Sequence, residues 1–235
     1  MTFVFEPSLQ TSIAVVGEDA RFPVRRVFCV GRNYAAHARE MGKDPERDPP
    51  FFFTKPADAA FDAGTSDNVT IPYPPETDNF HYEIELTVAI EQDGINIAVD
   101  KAVDHVFGYA TSIDLTRRDL QLDAREKGRP WDWGKAFDLS APIAPLHRVS
   151  DVGHKPEGRI WLSVDGDIKQ DANLSELIWP TAEIISIISH SMELKAGDLI
   201  MTGTPAGVGP ILAGQHVVGG IAGLTDVSVT IGDKG

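Results

Sequence analysis

The feature that most constrains the fold of this chain is a run of apolar residues at every second position, namely Ile84, Leu86, Val88 and Ile90. This alternation is typical of a half-buried β-strand, because successive side chains of a strand point to opposite faces. Glu83 and Glu85 therefore project to the same side, about 7 Å apart. Two carboxylates so placed repel each other unless water or a cation separates them. The pair is either a solvated strand face or part of a site for a hard divalent cation.

The composition indicates a folded, β-rich and acidic protein. Hydrophobic residues make up 42% of the chain and charged residues 24%, which is enough apolar material to bury a core. The 16 Pro and 21 Gly predict many turns. The formal net charge of -14 argues against nucleic acid as a partner, since phosphate backbones require clustered Lys and Arg. A small anionic substrate remains compatible, because a local basic patch or a metal reverses the field inside one cleft.

The single cysteine and the N-terminus carry little functional signal. Cys29 lies in an apolar run, so it is interpreted as a small buried hydrophobic residue, and no internal disulfide is possible. We find neither a basic segment followed by a long apolar one at the N-terminus nor a run long enough to span a membrane. We therefore expect a cytoplasmic protein with no membrane partner.

The fold class predicted from the sequence is α+β and mainly β, because strands predominate without regular βαβ alternation. Residues 1–20 are predicted to form a short strand-rich lead-in, with strands at Phe3–Phe5 and Ser12–Val16, and residues 21–235 a single domain. Further strands are predicted at Val24–Gly31, Phe51–Lys55, Gly108–Leu115, Leu199–Thr202 and Val217–Ile231, with a hairpin at Arg159–Lys169. Helices are predicted at Tyr34–Met41, from a capping box of Thr116 and Asp119 to Gly128, and at Ala182–Leu194, whose core stripe is Ile184, Ile187, Ile188 and Met192.

Several polar residues are candidates for chemistry, each with a simpler alternative. Asp114, near the end of a strand, either completes an oxygen site with the two glutamates or caps a turn. His37 and Glu40 share a helix face, where they form either a general base with its orienting carboxylate or an exposed surface. His81 lies on the same strand face as the two glutamates, so it is a candidate ligand, which we keep as a residue that supports the ligands; a purely structural histidine is the alternative.

Four further side chains and one loop are candidates for binding an anionic substrate. Arg118 and Gln121 share a helix face and offer donors to a carboxylate, although a solvated helix surface explains both equally well. Lys55 and Lys135 are single lysines flanked by aromatic residues or proline, whereas most single lysines are surface charges. The turn-rich loop Thr202–Gly209 presents the hydroxyl of Thr204 and free backbone N–H groups; it lacks the P-loop signature, and a plain loop is the alternative.

Taken together, these segments resemble the fumarylacetoacetate hydrolase family. The resemblance follows the order of the family and covers the chain from about Arg25 to Ile231. It is carried by Gly31–Met41, Lys55–Pro56, Glu83–Leu86, Gly108–Gln121, Gly134–Asp138 and Thr202–Pro205.

The resemblance implies a fold, a cofactor and a set of site residues. The fold is a mixed β-sandwich roll of the type of that family's C-terminal domain, usually a homodimer. Glu83, Glu85 and Asp114 would hold one Mg2+ or Mn2+ per chain. His37 and Glu40 would be the water-activating dyad, and Lys135 would stabilise an oxyanion. The residues implied to bind substrate are Arg32, Lys55, Arg118, Gln121 and Thr204.

The segments look closest to the acylpyruvase and fumarylpyruvate hydrolase branch, including the bacterial enzymes of aromatic degradation. The function expected from the resemblance is metal-dependent hydrolysis of a C–C bond in 2,4-diketo acids, with fumarylpyruvate giving fumarate and pyruvate. Decarboxylation of oxaloacetate, or isomerisation of a 2-oxo acid, at the same metal site is the alternative. A non-catalytic metal-binding protein is a further alternative.

Overall fold

Short strands account for most of the secondary structure in the computed structural model, which describes residues 2–35, 49–64 and 69–234. In chain order the strands are β1 (Ser12–Ala14), β2 (Arg21–Pro23), β3 (Arg26–Gly31), β4 (Phe51–Lys55), β5 (Ala60–Asp62), β6 (Val69–Tyr73), β7 (Phe80–Tyr82), β8 (Ile84–Ile90), β9 (Val106–Ile113), β10 (Thr116–Arg117), β11 (Ala141–Ile143), β12 (His147–Arg148), β13 (Arg159–Val164), β14 (Asp167–Asn173), β15 (Asp198–Met201), β16 (Gly209–Pro210), β17 (His216–Ile221) and β18 (Val227–Lys234). The described α-helices are α1 (Arg118–Glu126), α2 (Asp132–Lys135), α3 (Val149–Val152) and α4 (Thr181–Ser191), and 3-10 turns occur at Ala57–Ala59, Val99–His105 and Leu174–Glu176.

Two mixed sheets build the body of the protein. The larger has the strand order β4-β3-β15-β8-β9-β11-β5, with β12 paired to β9, and the smaller has the order β14-β13-β17-β18-β6. Each sheet contains parallel pairs, such as β15 with β3 and β18 with β6, beside a run of antiparallel pairs. The sheets face each other across the main core, where Leu86 of β8 and Leu162 of β13 belong to one apolar cluster. This architecture confirms the prediction of a mainly β, mixed sandwich roll.

Strand β8 is buried along its whole length, so the prediction of a half-buried strand is wrong. It lies between β15 and β9 in the interior of the large sheet. Leu86 and Val88 face the main core, whereas Ala89 belongs to a second apolar cluster on the other face. Ile13 and Phe22 of the N-terminal strands contribute to that second cluster. The alternation of apolar residues therefore marks the face toward the larger core, and the opposite face carries one of the two glutamates and smaller residues.

Most of the other predicted strands are present, with small shifts along the chain. β4 has the predicted bounds, and β13 and β14 form the predicted hairpin, whose turn places Asp165 and Gly166 at positive φ values of 51° and 87°. The predicted closing segment Val217–Ile231 contains β17 and β18, which pair antiparallel. The local signals were sufficient here because strand alternation and turn residues act over only a few positions.

Three local predictions fail. Phe3–Phe5 form no strand and are exposed. Thr116 lies in β10 and donates a hydrogen bond to the carbonyl of Asp114, so helix α1 begins at Arg118 without the predicted capping box. Helix α4 ends at Ser191, and Met192, expected in its core stripe, is 44% exposed.

The helix predicted at Tyr34–Met41 lies mostly outside the described residues, and His37 and Glu40 lie entirely outside them. Among the helices that are described, none is both long and apolar enough to cross a lipid bilayer.

Candidate active site

Three buried carboxylates converge where β8 and β9 meet. Glu83 lies at the junction of β7 and β8, Glu85 is in β8, and Asp114 follows β9. The antiparallel register pairs Ile84 with Ile113, and the backbone N–H of Asp114 donates to the carbonyl of Glu83 at 2.8 Å. One oxygen from each carboxylate lies within 4.8 Å of the others. Strand pairing thus brings together three acids from two separated segments.

Lys135 is the central counter-charge of this carboxylate trio. Its ammonium donates to Glu83 Oε2 at 2.8 Å, to Asp114 Oδ2 at 2.6 Å and to Thr116 Oγ1 at 2.7 Å. Burial alone lowers the pKa of Lys135, but the charges of Asp114 and Glu83 outweigh burial and raise it above its ordinary value. The lysine is therefore positively charged, and all three of its N–H donors are engaged.

The position of Lys135 depends on a close helix contact. A Cβ on Gly134 would lie 2.8 Å from the backbone nitrogen of Gln121, so only glycine lets α2 pack this tightly on α1. This contact carries Lys135 to the same cavity as Arg118 and Gln121.

Lys55 contacts the trio from the protein interior and not from the two cavities that open from it. Its ammonium is 2.9 Å from Asp114 Oδ1 and donates to Ser140 Oγ at 3.0 Å, to the carbonyl of Leu115 and to that of Lys135. Its side chain is fully buried, and it lines neither of the two cavities described below. The resemblance implies that Lys55 contacts substrate, which stays a prediction; in the structure Lys55 compensates the charge of Asp114.

Arg118 is the third cation of the site. It donates to Glu83 Oε1 at 2.5 Å and to Gln121 Oε1 at 2.5 Å. Its Nε lies 3.3 Å from Nδ1 of His81, whose Nε2 lies 2.7 Å from the Asn79 side-chain oxygen. Burial and the charge of Arg118 lower the pKa of His81 to about 4. His81 is therefore neutral, accepts from Arg118 and donates to Asn79.

The loop that follows β15 is tied directly to the trio. The N–H of Gly203, at φ 98°, donates to Glu85 Oε2 at 2.7 Å. Gln170, buried in β14, donates to Thr204 Oγ1 at 2.8 Å and accepts from the N–H of Ile84 at 3.0 Å. One amide thus connects the loop to the strand that bears the glutamates. No signal in the sequence identified Gln170, because both contacts are made across sheets by residues distant in the chain.

Two adjoining cavities open from the trio. The inner one has a volume of about 30 Å³, which is room for an ion or a water molecule but not for an organic substrate. Besides the trio it is lined by the predicted residues Arg32, Arg118, Gln121, Lys135 and Thr204. The outer one has a volume of about 550 Å³ and shares Arg32, Phe53, Trp131 and Lys135 with the inner one.

Aromatic rings form much of the wall between the two cavities. Trp131 packs edge-on against Phe51, with ring centroids 5.1 Å apart, and at a tilt against Phe53, with centroids 5.7 Å apart. The guanidinium of Arg32 lies 5.2 Å from the centroid of Phe51. Flat apolar surfaces beside cationic groups suit a planar, unsaturated anion.

The donor set of the trio fits a hard divalent cation. All three residues offer carboxylate oxygens, the ligands that Mg2+ and Mn2+ prefer. Asp114 Oδ1 is buried and accepts no hydrogen bond from the described residues, although Lys55 is nearby. Burial, together with the charges of Asp114 and Glu83, raises the pKa of Glu85 well above its ordinary value. A cation among these oxygens would relieve the desolvation and the repulsion that disfavour the charged form of Glu85.

Comparison with known proteins identifies related sequences over most of the chain. Residues 26–232 match the family described as fumarylacetoacetate (FAA) hydrolase C-terminal. A fumarylpyruvate hydrolase of Ralstonia sp is 43% identical over 185 residues, which cover 77% of this chain and 92% of that protein. A mitochondrial oxaloacetate tautomerase of Oryza sativa is 39% identical over 206 residues, which cover 88% of this chain and 90% of that protein.

A solved structure extends this similarity to the whole fold. The crystal structure of fumarylpyruvate hydrolase from Pseudomonas aeruginosa, in complex with Mn2+ and pyruvate, superposes with a TM-score of 0.98 at 51% sequence identity. The superposition covers 99% of this chain and 100% of that chain.

Proposed function

The chain belongs to the fumarylacetoacetate hydrolase family, and we propose that it is a metal-dependent hydrolase of 2,4-diketo acids that converts fumarylpyruvate to fumarate and pyruvate. The observation that carries this proposal is the buried carboxylate trio at the base of a basic, aromatic-walled cleft. It is supported by the Pseudomonas aeruginosa enzyme, whose structure contains Mn2+ and pyruvate and whose fold is nearly identical.

Glu83, Glu85 and Asp114 would hold Mg2+ or Mn2+, which supplies Lewis-acid stabilisation of the negative charge that develops on the 2-oxo acid. Lys135 binds Glu83 and Asp114, and Arg118 binds Glu83, so these two side chains hold two of the three carboxylates together while no metal ion is bound. With Lys55 they make three cations against three carboxylates. A divalent cation would therefore leave the site positive, which favours an anionic substrate.

Two neutral groups would orient the substrate. Gln121 accepts from Arg118, so its amide NH2, which has no partner among the described residues, is available to donate into the inner cavity. Thr204 accepts from Gln170, and its own hydroxyl hydrogen has no acceptor among the described residues, so it is available as well. We assign both donors to the carboxylate and carbonyl oxygens of the 2-oxo acid end.

Lys135 would stabilise the oxyanion that forms at the 4-oxo carbon. All three of its N–H groups donate hydrogen bonds. The bond to the neutral Thr116 hydroxyl is weaker than the two bonds to carboxylates, so it is the one that Lys135 would exchange for a bond to the oxyanion. A well-placed donor of this kind contributes about 2.7–4 kcal/mol to transition-state stabilisation in other enzymes.

His37 and Glu40 complete the proposal from the sequence alone. His37 would take a proton from water, and Glu40 would orient its imidazole. The water oxygen adds to the 4-oxo carbon, the C3–C4 bond breaks, and its electron pair leaves on the pyruvate fragment as an enolate. Proton uptake at C3 gives pyruvate, and the acyl fragment leaves as fumarate.

Isomerisation or decarboxylation of oxaloacetate is the second candidate function. The tautomerase of Oryza sativa, at 39% identity, favours it. Both reactions require stabilisation of an enolate but no attack by water. The outer cavity of about 550 Å³ is large for a four-carbon acid, and for this reason we place the hydrolase first.

Turnover of fumarylpyruvate, acetylpyruvate and oxaloacetate in H218O, with Mn2+ or Mg2+, distinguishes these functions. A hydrolase releases pyruvate and fumarate in equal amounts, with 18O in the fumarate carboxyl group. Loss of CO2 or a change in the keto–enol ratio of oxaloacetate, without cleavage of either acylpyruvate, would contradict the hydrolase proposal. We also propose a homodimer, which light scattering coupled to gel filtration tests directly.

A further inference from the structure

Within the described part of the chain, the lining of the outer cavity is positively charged, although the protein is strongly acidic. The chain has a formal net charge of -14, yet the described charged residues that line this cavity are Arg32, Arg129, Lys135 and one acid, Asp132. Arg32 and Lys135 also line the inner cavity, whereas Arg129 lines only the outer one. Among the described residues, Arg129 is therefore the cation that lines the outer cavity alone.

The backbone of Arg129 is anchored to the helix that carries the substrate-orienting residues. Its N–H donates to the carbonyl of Ala124 in α1 at 2.7 Å, just after Gly128 turns the chain at φ 62°. Arg118 and Gln121 lie at the start of this same helix. Helix α1 therefore connects the backbone of Arg129 to the segment that bears Arg118 and Gln121.

The guanidinium of Arg129 is uncommitted within the described part of the chain, where it makes no ion pair and no hydrogen bond. The guanidinium of Arg118, by contrast, donates hydrogen bonds to Glu83 and Gln121. A free guanidinium at the side of a cleft presents a planar pair of donors that matches a carboxylate. The aromatic wall between it and the trio suits a flat, conjugated chain.

We propose that Arg129 binds the carboxylate at the far end of the substrate's acyl chain and so selects dianionic 2,4-diketo acids over those with a neutral acyl group. This inference rests on the proposed hydrolase function and adds a specificity-determining residue to it. The 2-oxo acid end lies where the outer cavity meets the inner one, the unsaturated chain lies along Phe53 and Trp131, and the terminal carboxylate pairs with Arg129.

The test compares two substrates that differ in the distal carboxylate, fumarylpyruvate and acetylpyruvate. For Arg129→Gln, the ratio of kcat/KM for fumarylpyruvate to that for acetylpyruvate should fall roughly 10- to 100-fold, mainly through KM, as expected for the loss of a charged hydrogen bond. Inhibition by fumarate should weaken, and inhibition by pyruvate should not. Arg129→Lys should be intermediate, since it keeps the charge but loses the planar donor pair.

Arg125→Gln is the matched control. Arg125 lies on the same helix but lines neither cavity, so this variant removes one positive charge without touching the proposed contact. Its substrate ratio should match that of the unmodified protein. An unchanged ratio in Arg129→Gln, or equal changes in both variants, overturns the assignment of Arg129 while leaving the hydrolase function standing. Failure of the unmodified protein to cleave either substrate overturns both.

Discussion

Replacement of Lys55 by methionine tests how charge is compensated beneath the proposed metal site. The side chains of Lys55 and Asp114 are both 0% exposed, and their charged atoms lie 2.9 Å apart. Lys55→Met keeps the length of the side chain but leaves Asp114 without this counter-charge, and it leaves the carbonyl of Leu115 without this donor.

Removal of one partner of a buried ion pair costs about 3–5 kcal/mol, because the other charge stays buried and uncompensated. In a chain of this size 1 kcal/mol corresponds to a shift in Tm of about 2–4 °C, so we expect Lys55→Met to lower the Tm by about 6–20 °C. Mn2+ would place new positive charge among the carboxylates, so its presence should recover part of the loss.

The assay is urea and thermal unfolding of chelator-treated protein, repeated with saturating Mn2+. Lys101→Met is the control, because Lys101 is 68% exposed and lies 4.0 Å from Asp104, and its loss should change stability by no more than about 0.5 kcal/mol. If the free energy of unfolding of metal-free Lys55→Met lies within about 1 kcal/mol of that of the unmodified protein, Lys55 is not needed to compensate the charge of Asp114. If the loss is the same with and without Mn2+, the coupling between Lys55 and the cation is refuted.

Three further variants test the proposed roles of single residues. Glu83→Gln should abolish both Mn2+ binding by calorimetry and turnover; loss of thermal stability alone, with binding retained, would indicate a structural site. His37→Ala should abolish cleavage of acylpyruvates while leaving any oxaloacetate decarboxylation intact, and full retention of C–C hydrolysis would refute its role in activating water. Gln170→Leu leaves the N–H of Ile84 unsatisfied, so it should cost about 1–3 kcal/mol in unfolding free energy and raise KM through Thr204, and an unchanged KM would contradict the connection.

Strand β8 shows which features a local sequence pattern can predict and which it cannot. The alternation from Ile84 to Ile90 predicted a strand, and the period of two placed Glu83 and Glu85 on one side. Both follow from backbone geometry within a few residues. The burial of β8 on both faces was not predicted, because its second face is covered by residues such as Ile13 and Phe22, far away in the chain.

For Lys55 and Lys135 as well, the sequence identified the residues and the tertiary structure determined their positions. Both were candidates because of their aromatic and proline neighbours, and the sequence did not distinguish their roles. The pairing of β4 with β3 in the large sheet places Lys55 behind Asp114, whereas the packing of α2 on α1 places Lys135 in the cavity. Which side of a carboxylate a cation approaches depends on the packing of whole elements, and short sequence windows contain no information about it.

The sequence by itself determined the residue types, their local spacing and the order of segments that marks the family, because these depend only on neighbouring positions. Only the tertiary structure decided which charges neutralise one another, that Gln170 ties Thr204 to the glutamate strand, and that Arg129 faces a separate cavity. These relations join residues far apart in sequence, and they exist only once strand register and helix packing have placed buried groups within hydrogen-bonding distance.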